Sequence, residues 1–220
     1  MHKKRVLVLH PPLYPANYKF YNFLGKHIDL TVFQYGDYPN NHPSWSYENL
    51  KHLNSDFTLK KIGSGKESFS NQFNVYQFKQ FVKVKPDVII SIAFWLPSLI
   101  FSILKYIYKY KFCILTNATI ISEKTRSKGL RVYYRKILSF FTDVFISASP
   151  YTTKYLLTLR KQSKITLSIQ GIDLNDWRNV IDKLSSKEDL RRELNLPNSK
   201  KILLGVGNFT KNKNWLSVIK

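Results

Sequence analysis

Residues 87–116 read DVIISIAFWLPSLIFSILKYIYKYKFCILT, and this stretch decides the fold. DVIISI (87–92) and KFCILT (111–116) are short and apolar almost throughout, and the first is rich in Val and Ile. Runs of that kind are too short for helices and suit strands covered on both faces. Between them, PSLIFSILKYIYK (97–109) has a helical pattern. Pro97 falls in its first turn, where a missing N–H costs nothing. Strand, helix, strand is the unit of a parallel sheet.

The same alternation runs outward in both directions. RVLVL (5–9), DLTVFQ (29–34), DVFIS (143–147), KITLS (164–168) and KILLGV (201–206) read as further strands, with the less apolar FTLKKI (57–62) beside them. NYKFYNFLGK (17–26) reads as a helix ending at Gly25. GLRVYYRKILSFF (129–141) reads as another, with Leu130, Tyr133, Tyr134, Ile137, Leu138 and Phe141 on one inward stripe. SSKEDLRREL (185–194) opens on a capping box of Ser185 and Glu188 and stops before Pro197. The expected fold is α/β, a doubly wound parallel Rossmann-like sheet. Residues 36–56 read as irregular. The expected domains are 1–168, a hinge and helix over 169–199, and the first strand and helix of a second Rossmann-like domain over 200–220.

With 220 residues the chain can bury one good core and part of a second. Hydrophobic residues make up 44%, which excludes a disordered chain. Cys113 is the one cysteine, so no intramolecular disulfide forms and a reducing, cytoplasmic setting is expected. The apolar run Val6–Leu9 is too short for a signal peptide, and SIAFWLPSLIFSIL (91–104) is too short for a membrane span.

Lys and Arg number 35 against 14 Asp and Glu, a net charge of +21. That excess attracts nucleic acid, an anionic membrane or phosphorylated ligands, unless lysine is simply the default surface residue. Part of it is local: Lys124, Arg126, Lys128, Arg131, Arg135 and Lys136 follow the lone acid Glu123. Arg131 and Arg135, four apart, share a helix face. The segment reads either as a solvated face or as a patch for an anionic membrane, at roughly 1 kcal/mol per nearby cation.

ITLSIQGIDLNDW (165–177) resembles the interdomain stretch of group 1 glycosyltransferases, the retaining, family-4-like enzymes of GT-B architecture. Gly171, Ile172 and Asp173 match its hinge, while Gln170 replaces the usual Asn. LRRELNLPNSKKILLGVGNFTKNKNW (190–215) resembles the opening of that family's second domain. TDVFISASPYTTKYLL (142–157) and NYKFYNFLGKHIDLTVF (17–33) resemble parts of its first.

The resemblance implies transfer of sugar from a nucleotide-sugar donor to a glycan or lipid-linked glycan acceptor, in cell-surface polysaccharide synthesis at the inner face of the membrane. The departing diphosphate gains charge, which fixed cations and helix N–H groups stabilise. Gly207, Asn208 and Lys213 would hold the diphosphate, although Asn208 and Asn214 stand where the family has Arg and Gly. His10, Asn17, Tyr18, Lys19 and Asn117 are the acceptor-cleft candidates. His10 ends the first strand, where open α/β sheets bind ligands. The family's Glu-x7-Glu motif would follow Lys220, so the catalytic residues are unidentified, and the chain is expected to be truncated and inactive by itself.

No Asp-x-Asp occurs, DLND (173–176) has the wrong spacing and no His pair has ligand spacing, so no metal is expected, nor a cofactor. A non-enzymatic basic protein for nucleic acid or membrane is the alternative. KYIYKYKF (105–112) interleaves Lys with aromatic rings that could stack bases. No nucleic-acid module signature accompanies it, and nucleic acid is not the expected partner. An inactive remnant is the third reading.

Overall fold

The structure is a computed structural model that describes residues 3–37, 43–62, 73–124, 129–169, 171, 174–198, 200–207, 214–215 and 217. The chain divides into two compact units, Met1–Gln170 and Gly171–Lys220.

The first unit is built on β1 (Arg5–His10), β2 (Asp29–Tyr35), β3 (Thr58–Ile62), β4 (Val88–Ser91), β5 (Lys111–Thr116), β6 (Val144–Ser147) and β7 (Ile165–Leu167). They form one sheet in the order β3-β2-β1-β4-β5-β6-β7. Every pair in it is parallel. The expected α/β doubly wound parallel sheet is therefore present. The chain moves outward from β1 to β3, crosses back, and moves outward again from β4 to β7, so the order switches between β1 and β4.

Period-two alternation splits the apolar side chains into two cores. Leu7, Leu9, Phe33, Ile89, Phe112, Ile114 and Phe145 meet Phe81 of α3 (Val75–Val84), Phe101 of α4 (Leu96–Tyr108), Leu138 of α6 (Leu130–Phe141) and Leu156 of α7 (Pro150–Leu159). Val6, Val8, Leu30 and Val32 meet Tyr18 and Tyr21 of α1 (Pro15–His27), Leu50 of α2 (Tyr47–Leu50) and Phe57. A short α5 (Ile120–Lys124) follows β5. Each fully buried side chain of this size contributes about 1.5–3 kcal/mol.

Three local readings change. Gly25 does not end α1, which runs on to His27. A Cβ there would lie 1.9 Å from the Asp56 carbonyl oxygen, so the glycine permits a close approach of helix and loop. The helix α3 was not legible as one; Asn74 caps it by accepting from the Gln77 N–H at 2.8 Å. And α6 is rotated: Leu130, Tyr133 and Ile137 of its expected inward stripe are exposed, while Arg135, Leu138 and Ser139 are buried. Within 36–56, residues 38–42 lie outside the described ones; Pro43–Trp45, α2 and Lys51–Leu53 are short helical turns.

The second unit contains α8 (Leu174–Ile181) and α9 (Lys187–Glu193). Ser186, not Ser185, caps α9, accepting from the Asp189 N–H at 3.1 Å. KILLGV forms no strand: residues 201–206 have no ladder partner among the described residues, and Leu203, Leu204 and Val206 are exposed. Without a neighbouring strand, an apolar run has nothing to bind its N–H and C=O groups as a strand.

Candidate functional site

The strand order switches direction between β1 and β4. Open α/β sheets bind ligands outside the carboxyl ends of their strands at such a point. In this sheet, five strands are tied to their own outgoing turns by a side chain at or next to the strand end. The Nδ1–H of His10 on β1 donates to the Pro11 carbonyl at 2.6 Å. Gln34 Nε2 on β2 donates to the Gly36 carbonyl at 3.2 Å. Thr116 Oγ1 on β5 accepts from the Ala118 N–H at 3.2 Å. Ser147 Oγ on β6 donates to the Ser149 carbonyl at 2.8 Å and accepts from Thr153 Oγ1 at 2.9 Å.

The turn after β4 is the most tightly built. Trp95 Nε1–H donates to Ser91 Oγ at 2.7 Å, Ser91 Oγ lies 2.6 Å from Ser98 Oγ, and Ser98 Oγ donates to the Ala93 carbonyl at 2.9 Å. These bonds hold Ala93 at φ 146°, a conformation that costs an L-residue about 1–3 kcal/mol. The turn is also pinned from outside: Tyr134 Oη donates to the Trp95 carbonyl, and the Tyr35 and Trp95 rings pack at a tilt with centroids 4.9 Å apart. It lies beside His10, because the Ile92 N–H donates to the Leu9 carbonyl at 3.0 Å. Ser91, Ala93, Trp95 and Ser98 were not foreseen. The only sequence signal was a Trp before a Pro-initiated helix.

His10 is buried against the edge of Tyr21, with ring centroids 5.7 Å apart. Burial pushes its imidazole down to about 4, so it is neutral at pH 7. A carbonyl only accepts, so Nδ1 carries the proton and Nε2 is the acceptor. Asn17 spends its side chain on the helix start, accepting from the Tyr14 N–H at 3.0 Å. Tyr18 belongs to the core: it is 1% exposed, and its hydroxyl has no partner among the described residues. Burial pushes that hydroxyl well above its ordinary range. Lys19 and Asn117 are exposed. Among the acceptor-cleft candidates, His10 and Asn117 therefore stand at strand ends, Lys19 is on the surface of α1, and Tyr18 is not a surface group.

The basic segment does not form one patch. Lys124, Arg131 and Lys136 are exposed, whereas Arg126 and Lys128 lie outside the described residues. Arg135 is buried, 2.7 Å from Glu123 Oε2, and hydrogen-bonded to Tyr155 Oη. Its guanidinium also lies 4.9 Å from the Phe94 ring centre. It turns inward because Glu123, the acid that precedes it in sequence, is buried there too. In the second unit, Gly171 and Gly207 are exposed, while Ile172, Asp173, Asn208 and Lys213 lie outside the described residues.

A depression of about 580 Å³ lined by Lys3, Gly25, Asp29 and Asp56 opens at the opposite, amino edge of the sheet. It is wide and holds none of the tied turns, and the topology favours the carboxyl edge. Among the described residues, no cluster of three or more His, Cys, Asp or Glu side chains could hold a metal ion. Among them, too, no helix is long and apolar enough to cross a membrane.

No protein-family model matches the chain, and no curated protein does. Among solved structures, the chain is similar to a UDP-N-acetylglucosamine 2-epimerase, at 12% identity and a TM-score of 0.49 over 76% of this chain and 48% of that one. It is also similar to a sucrose-phosphate synthase from Thermosynechococcus elongatus, at 14% identity and a TM-score of 0.47 over 86% of this chain and 98% of that one. A UDP-GlcNAc 2-epimerase from Methanocaldococcus jannaschii gives 16% and 0.46 over 86% and 52%. The chain spans about half the length of these epimerases. The fold assignment rests on the strand order itself and not on these likenesses.

Proposed function

We propose that the chain is part of a glycosyltransferase, in which the first unit binds a glycan or lipid-linked glycan acceptor at the carboxyl edge of its sheet. The observation that carries this reading is the braced turn Ser91–Ser98 beside His10, at the point where strand order switches. A turn held in a costly conformation by four side-chain groups is preorganised, and preorganisation is useful where a ligand must be positioned. The starts of α1, α4 and α7 follow the ends of β1, β4 and β6, so their N–H groups gather at this edge. Helix N-termini of that kind favour a ligand bearing phosphate.

In the transfer, the bond between the sugar's anomeric carbon and the donor diphosphate breaks, and an acceptor hydroxyl bonds to that carbon. The hydroxyl proton leaves on the departing diphosphate. Neutral His10 positions the hydroxyl by accepting from it at Nε2; its low basicity makes it a positioning group and not a base. The resemblance at residues 190–215 supports Gly207, Asn208 and Lys213 as the diphosphate side.

The test is an assay of the chain with UDP- and GDP-sugars, neutral oligosaccharides and polyprenyl-phosphate-linked glycans, all with chelator present. A glycoside with the donor's anomeric configuration supports the whole reading. Acceptor binding without transfer supports the acceptor role alone. Absence of both overturns it.

A further inference from the structure

At the amino edge of the sheet, the ends of α3 and α4 and the starts of β1 and β4 enclose a cavity of about 340 Å³. Cavities that bind small ligands run from about 300 to 1,000 Å³, so this one suits a body of a single ring. Phe81, Val82, Pro86 and Tyr108 give it apolar walls. The Tyr108 ring is held by edge contacts, its centre 4.9 Å from that of Phe81 and 6.1 Å from that of Phe78. Arg5 and Asp87 line it too, and they are locked together. The Asp87 N–H donates to the Arg5 carbonyl at 2.8 Å. Its carboxylate accepts from the Arg5 N–H at 2.9 Å and from Arg5 Nη2 at 3.1 Å.

The remaining lining residues are Lys85 and Lys109, which cap α3 and α4. Both are left-handed, with φ 46° and 59°. That is the glycine position of a helix C-terminus, where a Cβ is a strain. The helix dipoles do not require these two cations, because Lys83 and Lys105 already stand in the last turns. Both capping lysines are exposed, and neither pairs with a carboxylate among the described residues. Arg5, Lys85 and Lys109 against Asp87 leave the cavity a surplus of two positive charges.

We propose that this cavity binds a small aromatic anion, a flat ring bearing one carboxylate or phosphate. The ring meets Tyr108 and Val82, and the anionic group meets Lys85 and Lys109. A bare inorganic anion would leave the apolar walls in water, and a neutral ring would leave the lysines unmet. The cavity lies at the far ends of the two strands that carry His10 and Ser91. It stands apart from the transfer reading, since it needs neither donor nor acceptor.

Amide-resolved NMR of the whole chain tests it, with phenyl phosphate, benzoate, benzyl alcohol and inorganic phosphate as separate titrants. Phenyl phosphate or benzoate shifts the Arg5, Val82, Lys85, Tyr108 and Lys109 amides along one saturating curve, and the tighter of the two identifies the anion. Benzyl alcohol lacks the charge-assisted bonds and inorganic phosphate lacks the buried ring, so each binds at least about tenfold more weakly. The double variant Lys85→Gly, Lys109→Gly weakens binding of the ring anions at least about tenfold. Its melting temperature does not fall, because glycine adopts those φ values freely; lysines with a purely structural role would lower it. The comparison of titrants on the wild-type chain holds even if the variant fails to fold. Equal affinity for inorganic phosphate and the ring anions, unchanged binding by the double variant, or no saturable shift at these amides would each overturn the proposal.

Discussion

The Arg135 guanidinium lies 2.7 Å from Glu123 Oε2, and both side chains are more than nine-tenths buried. A pair in that position is held by its geometry and by the hydroxyl of Tyr155. Removing one partner leaves the other buried and uncompensated. Glu123→Gln is therefore expected to lower stability by about 3–5 kcal/mol in urea unfolding, and Glu123→Gln with Arg135→Met to recover most of it. Equal loss in the single and double variants would show that the pair is not the coupled unit described.

Ala93 gives a prediction of opposite sign to the usual rule. Replacing Ala by Gly normally costs about 0.5–1 kcal/mol in an ordered segment. At φ 146° the methyl group is what is strained. Ala93→Gly should be neutral or stabilising by up to about 1 kcal/mol, read from the denaturation midpoint. A loss of 1 kcal/mol or more would mean the turn is not strained.

Gly25 inverts a rule in the other direction. Inside a helix, Gly→Ala ordinarily stabilises by about 1 kcal/mol. Here the new Cβ would meet the Asp56 carbonyl at 1.9 Å. Gly25→Ala should destabilise by at least about 1–3 kcal/mol in the same unfolding measurement, since helix and loop must separate.

Two groups contribute to the acid limb of stability. The folded His10 imidazole is held down to about 4, from an ordinary value of 6.5, by burial. The unfolded chain then binds the extra proton first, so stability is lost as pH falls from 6.5 towards 4. The Arg5 guanidinium, followed by the Arg5 N–H, holds the Asp87 carboxyl down to about 2, from 3.8. Its contribution is present above 3.8 and disappears as pH falls through about 2. Proton NMR of the imidazole should give a midpoint near 4, and Asp87→Asn should flatten the limb below pH 4 only. A His10 midpoint near 6.5 would place that ring in water.

Much of the first unit was legible because short, nearly continuous apolar runs report a sheet covered on both faces. Strands 5–9, 29–34 and 111–116 were within a residue of the observed ones. Burial direction in α6 was not legible. Its apolar residues form two stripes, and spacing alone could not say which one faced inward, because that was decided by a distant contact of Arg135 with Glu123 and Tyr155. The braced turn was hidden for a related reason. Ser91 and Ser98 are ordinary residues seven apart, and only folding brings their hydroxyls within 2.6 Å. The strand-end position of His10 was legible because a strand end is a position that sequence can specify.

The most direct test of the account is amide-resolved NMR of the chain titrated with a polyprenyl-phosphate-linked glycan. The account predicts concentration-dependent shifts confined to the strand ends and their turns: His10 to Leu13, Ser91 to Ser98, Thr116 to Thr119 and Ser147 to Thr152. Shifts confined to the amino edge, at Lys3, Asp29 and Asp56, or no shifts with any glycan, would contradict it.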